Sequence, residues 1–132
     1  VSLQQEIELA QRYLAIEQVR FGNRLRVQWA IDADCFQAKL PPLIFQPLVE
    51  NAVKHGVEPS SAGADLKISA QKRESVVVIK ITNTAPAGQG LEGHGLEMKN
   101  VQERLQLLHD VQASFRCTWI NGVYQVRIEV PA

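Results

Sequence analysis

Leu40-Pro41-Pro42-Leu43-Ile44-Phe45-Gln46-Pro47-Leu48-Val49-Glu50-Asn51-Ala52-Val53-Lys54-His55-Gly56 is the stretch on which the fold and the site both turn. Its spacing predicts a helix from about Pro42 to His55, stopped by Gly56. Leu43, Ile44, Leu48, Val49 and Ala52 would form its apolar stripe. Glu50, Asn51, Lys54 and His55 fall at i, i+1, i+4 and i+5, on the last turn and a half of one face. An amide oxygen beside a carboxylate suits a hard cation, and an amine suits phosphate. The same pattern also fits a core helix whose polar end is merely solvated, with Glu50 and Lys54 as an ordinary i, i+4 ion pair. Spacing alone leaves both readings open.

Working outward, Ser2 is placed to cap a helix, with Gln5 completing a capping box. Leu3, Ile7, Leu9, Ala10, Leu14, Ile16 and Val19 carry it to Arg20 or Phe21, before Gly22-Asn23. Leu25, Val27, Trp29 and Ile31 alternate with Arg26, Gln28 and Ala30, a strand pattern. After the connector Asp32 to Lys39 and the quoted helix, Pro59 to Gly63 is a loop. Strands are expected around Leu66-Ile68-Ala70 and over Val76 to Ile81, turning at Lys72-Arg73-Glu74-Ser75. Asn83 to Gly95 is glycine-rich and is expected to be a mobile loop. A helix follows from Leu96 to near His109-Asp110. Two last strands, Val111 to Ile120 and Val123 to Val130, meet at Asn121-Gly122, a hairpin signal. This order predicts an α/β (α+β) two-layer sandwich, with one mixed, mainly antiparallel sheet and helices packed on one face.

With 132 residues the chain forms one domain, residues 1–132, large enough for a core. Fourteen basic and fourteen acidic residues cancel, which argues against a general nucleic-acid surface. No apolar run nears the ~18 residues of a membrane span, and no signal peptide is visible. Val1 stands in place of an initiator Met, inside a helical pattern, which reads as a fragment of a longer protein. Cys35 and Cys117, with no secretory signal, are expected to be reduced thiols.

Pro41 to Gly56 resembles, nearly letter for letter, the N-box of the GHKL ATPases, and most closely that of LytS/YehU-type sensor histidine kinases. Glu8, Tyr13-Leu14, Glu17, Arg20-Phe21 and Arg24-Leu25 resemble the segment by which those kinases join their dimerisation and phosphotransfer region to the catalytic domain, here residues 1–21. Gly93-His94-Gly95-Leu96, Asn100-Val101 and Arg104-Leu105 resemble the second glycine box and its helix. The resemblance covers nearly the whole chain, Leu3 to Pro131, and is weakest in the last hairpin. It implies a Bergerat-type ATPase fold that binds ATP and Mg2+, with residues 83–95 as the ATP lid.

By the same resemblance Asn51 binds the Mg2+ that bridges the phosphates, and Glu50 assists proton transfer as the catalytic residue. Lys54, His55, Asn83, Gly93, His94, Gly95, Leu96 and Asn100 are the other implied nucleotide contacts. Arg104, four residues after Asn100, would reach toward lid or phosphate, or pair with a carboxylate. Asn83 departs from the pattern, because it stands where the family has the Asp that accepts a hydrogen bond from the adenine amine. A neutral amide oxygen still accepts, but less strongly than a carboxylate, so weaker nucleotide binding is expected. The family's phosphoacceptor His lies in an upstream Pro-His-Phe-Leu-type motif that is absent here. The implied activity is thus that of a histidine kinase catalytic domain, donating the γ-phosphoryl group to a His outside this segment. Implied partners are that upstream region, a response regulator and a second copy in a homodimer, within the cytoplasmic part of an inner-membrane protein. The alternative is a degenerate domain with weak or no ATP binding that acts through protein contacts.

Overall fold

The computed structural model describes residues 1–85 and 95–132, with side chains at 95–97 left undescribed. Helix α1 spans Leu3–Phe21. Ser2 caps it as expected: Gln5 N–H donates to Ser2 Oγ at 3.2 Å, and Ser2 N–H donates to Gln5 Oε1 at 2.9 Å. Its buried side is Leu3, Glu6, Ile7, Ala10 and Leu14. Leu9, Ile16 and Val19, expected on the same stripe, are exposed instead. Leu9 and Ile16 follow Ile7 and Leu14 by two residues and Val19 follows Leu14 by five, which at 3.6 residues per turn puts them on the far side of the helix.

Gly22, at φ 58°, ends α1 in a backbone region that a side chain would strain. A short 3-10 turn, Gly22–Arg24, leads into β1, Leu25–Ile31. Helix α2 is Phe45–Ala52, followed by a π-helical turn, Val53–Val57. Strand β2 is Ala64–Arg73, β3 is Val76–Thr84, α3 is Gly95–His109, β4 is Ser114–Ile120 and β5 is Val123–Pro131. The five strands lie in the order β1-β2-β3-β5-β4. Only β1 and β2 run parallel, joined by the α2 crossover; the remaining pairs are antiparallel. The β4–β5 hairpin turns at Asn121 and Gly122, φ 53° and 78°, as the Asn-Gly pair demands.

Alternation along the strands explains the layering. Ala64, Leu66, Ile68 and Ala70 of β2, Ile79 and Ile81 of β3, and Val126, Ile128 and Val130 of β5 are buried in one core with α1, α2 and α3 residues. The opposite sheet face carries Lys67, Ser69, Gln71, Lys80, Thr82 and Gln125. Helices therefore cover one face and water the other, the expected two-layer sandwich. Cys35 and Cys117 are free thiols, 35 buried and 117 half-buried.

The quoted helix is shorter than its pattern suggests. Pro41, Pro42 and Leu43 precede it, and Leu43 takes a left-handed φ of 59° with its side chain exposed. Pro47 gives the reason. It has no N–H, so it fits best in the first turn, where a helix starting at Phe45 puts it. The loop 83–95 also needs division. Asn83 and Thr84 complete β3, and Gly95 opens α3. The intervening residues 86–94 lie outside the described residues, and with them the expected contacts at Gly93 and His94.

Candidate nucleotide site

Helix α2 has no capping side chain of its own: Ile44, at its cap position, is already helical. Glu6 of α1 supplies the cap. Its Oε1 accepts from Ile44 N–H at 2.6 Å and Phe45 N–H at 3.1 Å, and its Oε2 accepts from Leu43 N–H at 3.1 Å. A carboxylate at a helix N-terminus is favoured by both the unsatisfied amides and the helix dipole. Glu6 is only 2% exposed, and its acceptor oxygens are satisfied by these donors. Local reading of the sequence misses this role, although a charged residue standing among Leu3, Ile7 and Ala10 on the buried face is a visible signal.

Along α2 the four polar residues part company. Asn51 is buried, whereas Glu50 and Lys54 are exposed and His55 is half-buried. Gln46 Nε2 donates to Glu50 Oε1 at 3.0 Å, so the i, i+4 partner of Glu50 is the amide before it and not Lys54. Lys54 and His55 sit in the π turn, whose wider winding changes the angle at which they leave the helix. Tyr13 of α1 lies close to the same face. Burial, together with the carboxylates of Glu17, Glu50 and Glu58, pushes its phenol up to about 12.

The π turn ends against β3. A Cβ built on Gly56 would stand 2.9 Å from Asn83 Nδ2, 2.9 Å from Thr84 O and 3.3 Å from the Ala64 Cβ. Glycine is required there for close approach. The contact joins the α2 segment to the strand end where the sequence placed adenine recognition. Asn83 is buried, and its Nδ2 donates to Thr84 O at 3.1 Å; its Oδ1 is an acceptor only. Thr84 Oγ1 in turn accepts from Asp65 N–H at 3.1 Å. Ala85, just after β3, is fixed by Ala85 N–H to Gly122 O at 2.8 Å and by Trp119 Nε1–H to Ala85 O at 3.0 Å.

Helix α3 contributes differently from expectation. Asn100 is exposed on it. Arg104 donates to backbone carbonyls, Leu43 O at 3.2 Å and Pro42 O, bracing the turn before α2. His109 Nε2 lies 2.7 Å from Lys39 O on the same side. Gly95 and Leu96 occupy the first positions of α3, the end of a helix whose N–H groups suit an anion.

The donor set fits Mg2+ in one manner. Among the described residues no cluster of three or more His, Cys, Asp and Glu side chains could hold a metal by itself. Mg2+ is commonly held by one or two protein oxygens with substrate phosphates and water completing its shell. Asn51 and Glu50 offer that limited set.

No protein-family model matches the chain. It is 32% identical over 112 residues to the sensor histidine kinase YesM of Bacillus subtilis, covering 81% of this chain and 19% of that protein. Over 107 residues it is 37% identical to the sensor histidine kinase BtsS of Escherichia coli, covering 80% and 19%. The sensor protein LytS of Staphylococcus saprophyticus is 28% identical, with 99% and 24% covered. The chain therefore spans about a fifth to a quarter of the length of these curated relatives. In structure it resembles the catalytic domain of histidine kinase ThkA, with a TM-score of 0.72 at 12% identity over 99% of this chain and 93% of that one.

Proposed function

The chain belongs to the LytS-, YesM- and BtsS-type sensor histidine kinases, as one segment of their length, and from that premise we propose that it is their ATP- and Mg2+-binding catalytic domain. It would supply the γ-phosphoryl group to a phosphoacceptor His outside this segment. The contact of Gly56 with Asn83 and Thr84 is the observation that carries this reading. It brings the helix with the metal-type donors against the strand end with the adenine-type acceptor.

In this reading the nucleotide lies among α2, the end of β3 and the first turn of α3. Asn83 Oδ1 accepts from the adenine amine, while Nδ2 stays engaged with Thr84 O. Asn51 would hold Mg2+ through its amide oxygen, and Lys54 and His55 in the π turn would meet the phosphates. When bound, the metal would supply charge neutralisation for the transferring phosphoryl group. Glu50, aimed by Gln46, takes the proton from the attacking imidazole. The bond from the γ-phosphorus to the bridging oxygen breaks as the bond to the imidazole nitrogen forms, and ADP leaves. Gly95, Leu96 and Asn100 of α3 would border the phosphate side of the site.

The partners of this reading are the upstream dimerisation and phosphoacceptor region, a second copy and a response regulator. A solved structure shows histidine kinase ThkA in complex with the response regulator protein TrrA, which supports a partner of that class. Among the described residues no helix is long and apolar enough to cross a membrane. We place the domain on the cytoplasmic side of a membrane protein, where ATP is available.

The test is phosphorylation of the uninterrupted protein with γ-labelled ATP and Mg2+. Acid-labile label on histidine is expected, and Glu50→Gln should slow its appearance about 100-fold or more. Absence of histidine-bound label in the wild-type protein refutes the reading.

A further inference from the structure

Helix α2 is held at both ends by residues of the N-terminal segment. At its start, Glu6 takes the amides of Leu43, Ile44 and Phe45, across a separation of 37 to 39 residues. Beyond its end stands Arg24, in the turn that follows α1. Its Nη2 donates to Val57 O and to Ser60 O, each at 2.8 Å, and its Nε donates to Ser60 O at 3.2 Å. A guanidinium on the last carbonyls complements the negative end of the helical segment. Arg24 is itself confined. Gly63 passes so close that a Cβ there would stand 1.9 Å from Arg24 O. Between the two anchors α1 lines the core beside α2 with Ile7, Ala10 and Leu14.

Glu50, Asn51, Lys54 and His55 all lie between these anchors. The backbone that carries them is fixed to α1 at residues 43–45 and to the turn after α1 at residues 57–60. The π turn at Val53–Val57, wound differently from the α-helix before it, is immediately next to the Arg24 anchor.

We propose that Glu6 and Arg24 are positioning residues of the nucleotide site, clamping both ends of the α2 segment so that the placement of α1 sets the placement of Asn51. This rests on the nucleotide-binding reading of α2. A displacement of α1 along or about its axis then moves both anchors together and carries the site with it. The N-terminal segment thereby regulates the site through backbone contacts, without touching the nucleotide.

The test pairs amide hydrogen exchange with Mg2+-nucleotide titration in Glu6→Gln and Arg24→Lys. A glutamine keeps one acceptor oxygen and loses the other; a lysine cannot fork onto two carbonyls. In Glu6→Gln, exchange should rise about fivefold or more not only at 43–45 but through residues 51–57, with the β2 and β3 core unchanged. Arg24→Lys should raise exchange over the same span from the other end. Nucleotide affinity should fall about fivefold in each. Faster exchange confined to 43–45 in the first variant, or to 57–60 in the second, overturns the proposal. So does unchanged affinity in either variant of a protein that binds nucleotide. If the wild-type protein binds none, the functional reading fails separately, and the exchange pattern still decides whether α1 positions the segment. Should Glu6→Gln not fold, Arg24→Lys alone decides both.

Discussion

Replacing Gly56 by Ala tests the close approach that joins α2 to β3. The backbone itself would welcome the change, because alanine is favoured over glycine in a helical segment by about 1 kcal/mol. The surroundings oppose it. The new methyl would stand 2.9 Å from Thr84 O, a backbone atom, and 2.9 Å from Asn83 Nδ2, which is tied to that same oxygen. Neither neighbour can move alone, since Thr84 also accepts from Asp65 N–H through its hydroxyl. Two contacts at 2.9 Å, one of them to backbone, put the overpacking in the upper part of its usual range, about 2–3 kcal/mol, so the net change is a loss of about 1–2 kcal/mol. For a domain of this size that lowers Tm by about 3–8 °C. Thermal unfolding followed by circular dichroism measures it. Gly22→Ala is the control: at φ 58° it meets nothing within 4 Å, so it strains the backbone only. Nucleotide affinity should fall in Gly56→Ala and stay unchanged in Gly22→Ala. A Gly56→Ala protein that melts at or above the wild-type temperature refutes the packing argument.

Three further outcomes follow from the same contacts. Gly63→Ala combines a φ of 80° with a Cβ 1.9 Å from Arg24 O, and should cost about 4 kcal/mol or more, read as loss of soluble folded protein or a steep fall in urea midpoint. Tyr13, held near 12 against an ordinary value of 10, keeps its contribution to stability below pH 10 and loses it as pH rises toward 12, since the unfolded chain ionises first. Ultraviolet titration of phenolate should show that delayed step, and Tyr13→Phe should remove it. Asn83→Asp exchanges the bond from Nδ2 to Thr84 O for a carboxylate facing that oxygen, so it should cost about 1 kcal/mol of stability while tightening adenine nucleotide binding several-fold. Calorimetry and nucleotide titration separate the two effects, and weaker binding would refute the adenine assignment.

Which parts of this structure a sequence can reveal depends on the range of the interactions that set them. The Ser2 cap of α1, the alternating β1 and the Asn121-Gly122 hairpin follow from residues a few positions apart, and all stand as expected. The α2 helix follows from its stripe, but its ends do not. Its start depends on Glu6, nearly forty residues away, and on the missing N–H of Pro47. Its exit into a π turn is met by Arg24 and by the packing of Gly56 on β3. Among the candidate site residues, Glu50 and Asn51 were visible as a chemical pair, while their separation into an exposed carboxylate and a buried amide required the tertiary structure. Arg104 shows the limit of face-based inference. It shares a helix with Asn100, yet its fork is spent on the Pro42 and Leu43 carbonyls of another element.

Titration of the protein with a fluorescent ATP analogue, with and without Mg2+, decides whether α2 and the end of β3 form a nucleotide site. Saturable binding that tightens with Mg2+ is predicted, and Asn51→Ala should keep the Mg2+-independent part while losing the rest. No saturable binding up to about 1 mM nucleotide, or an Asn51→Ala protein with the full Mg2+ effect, would contradict the account.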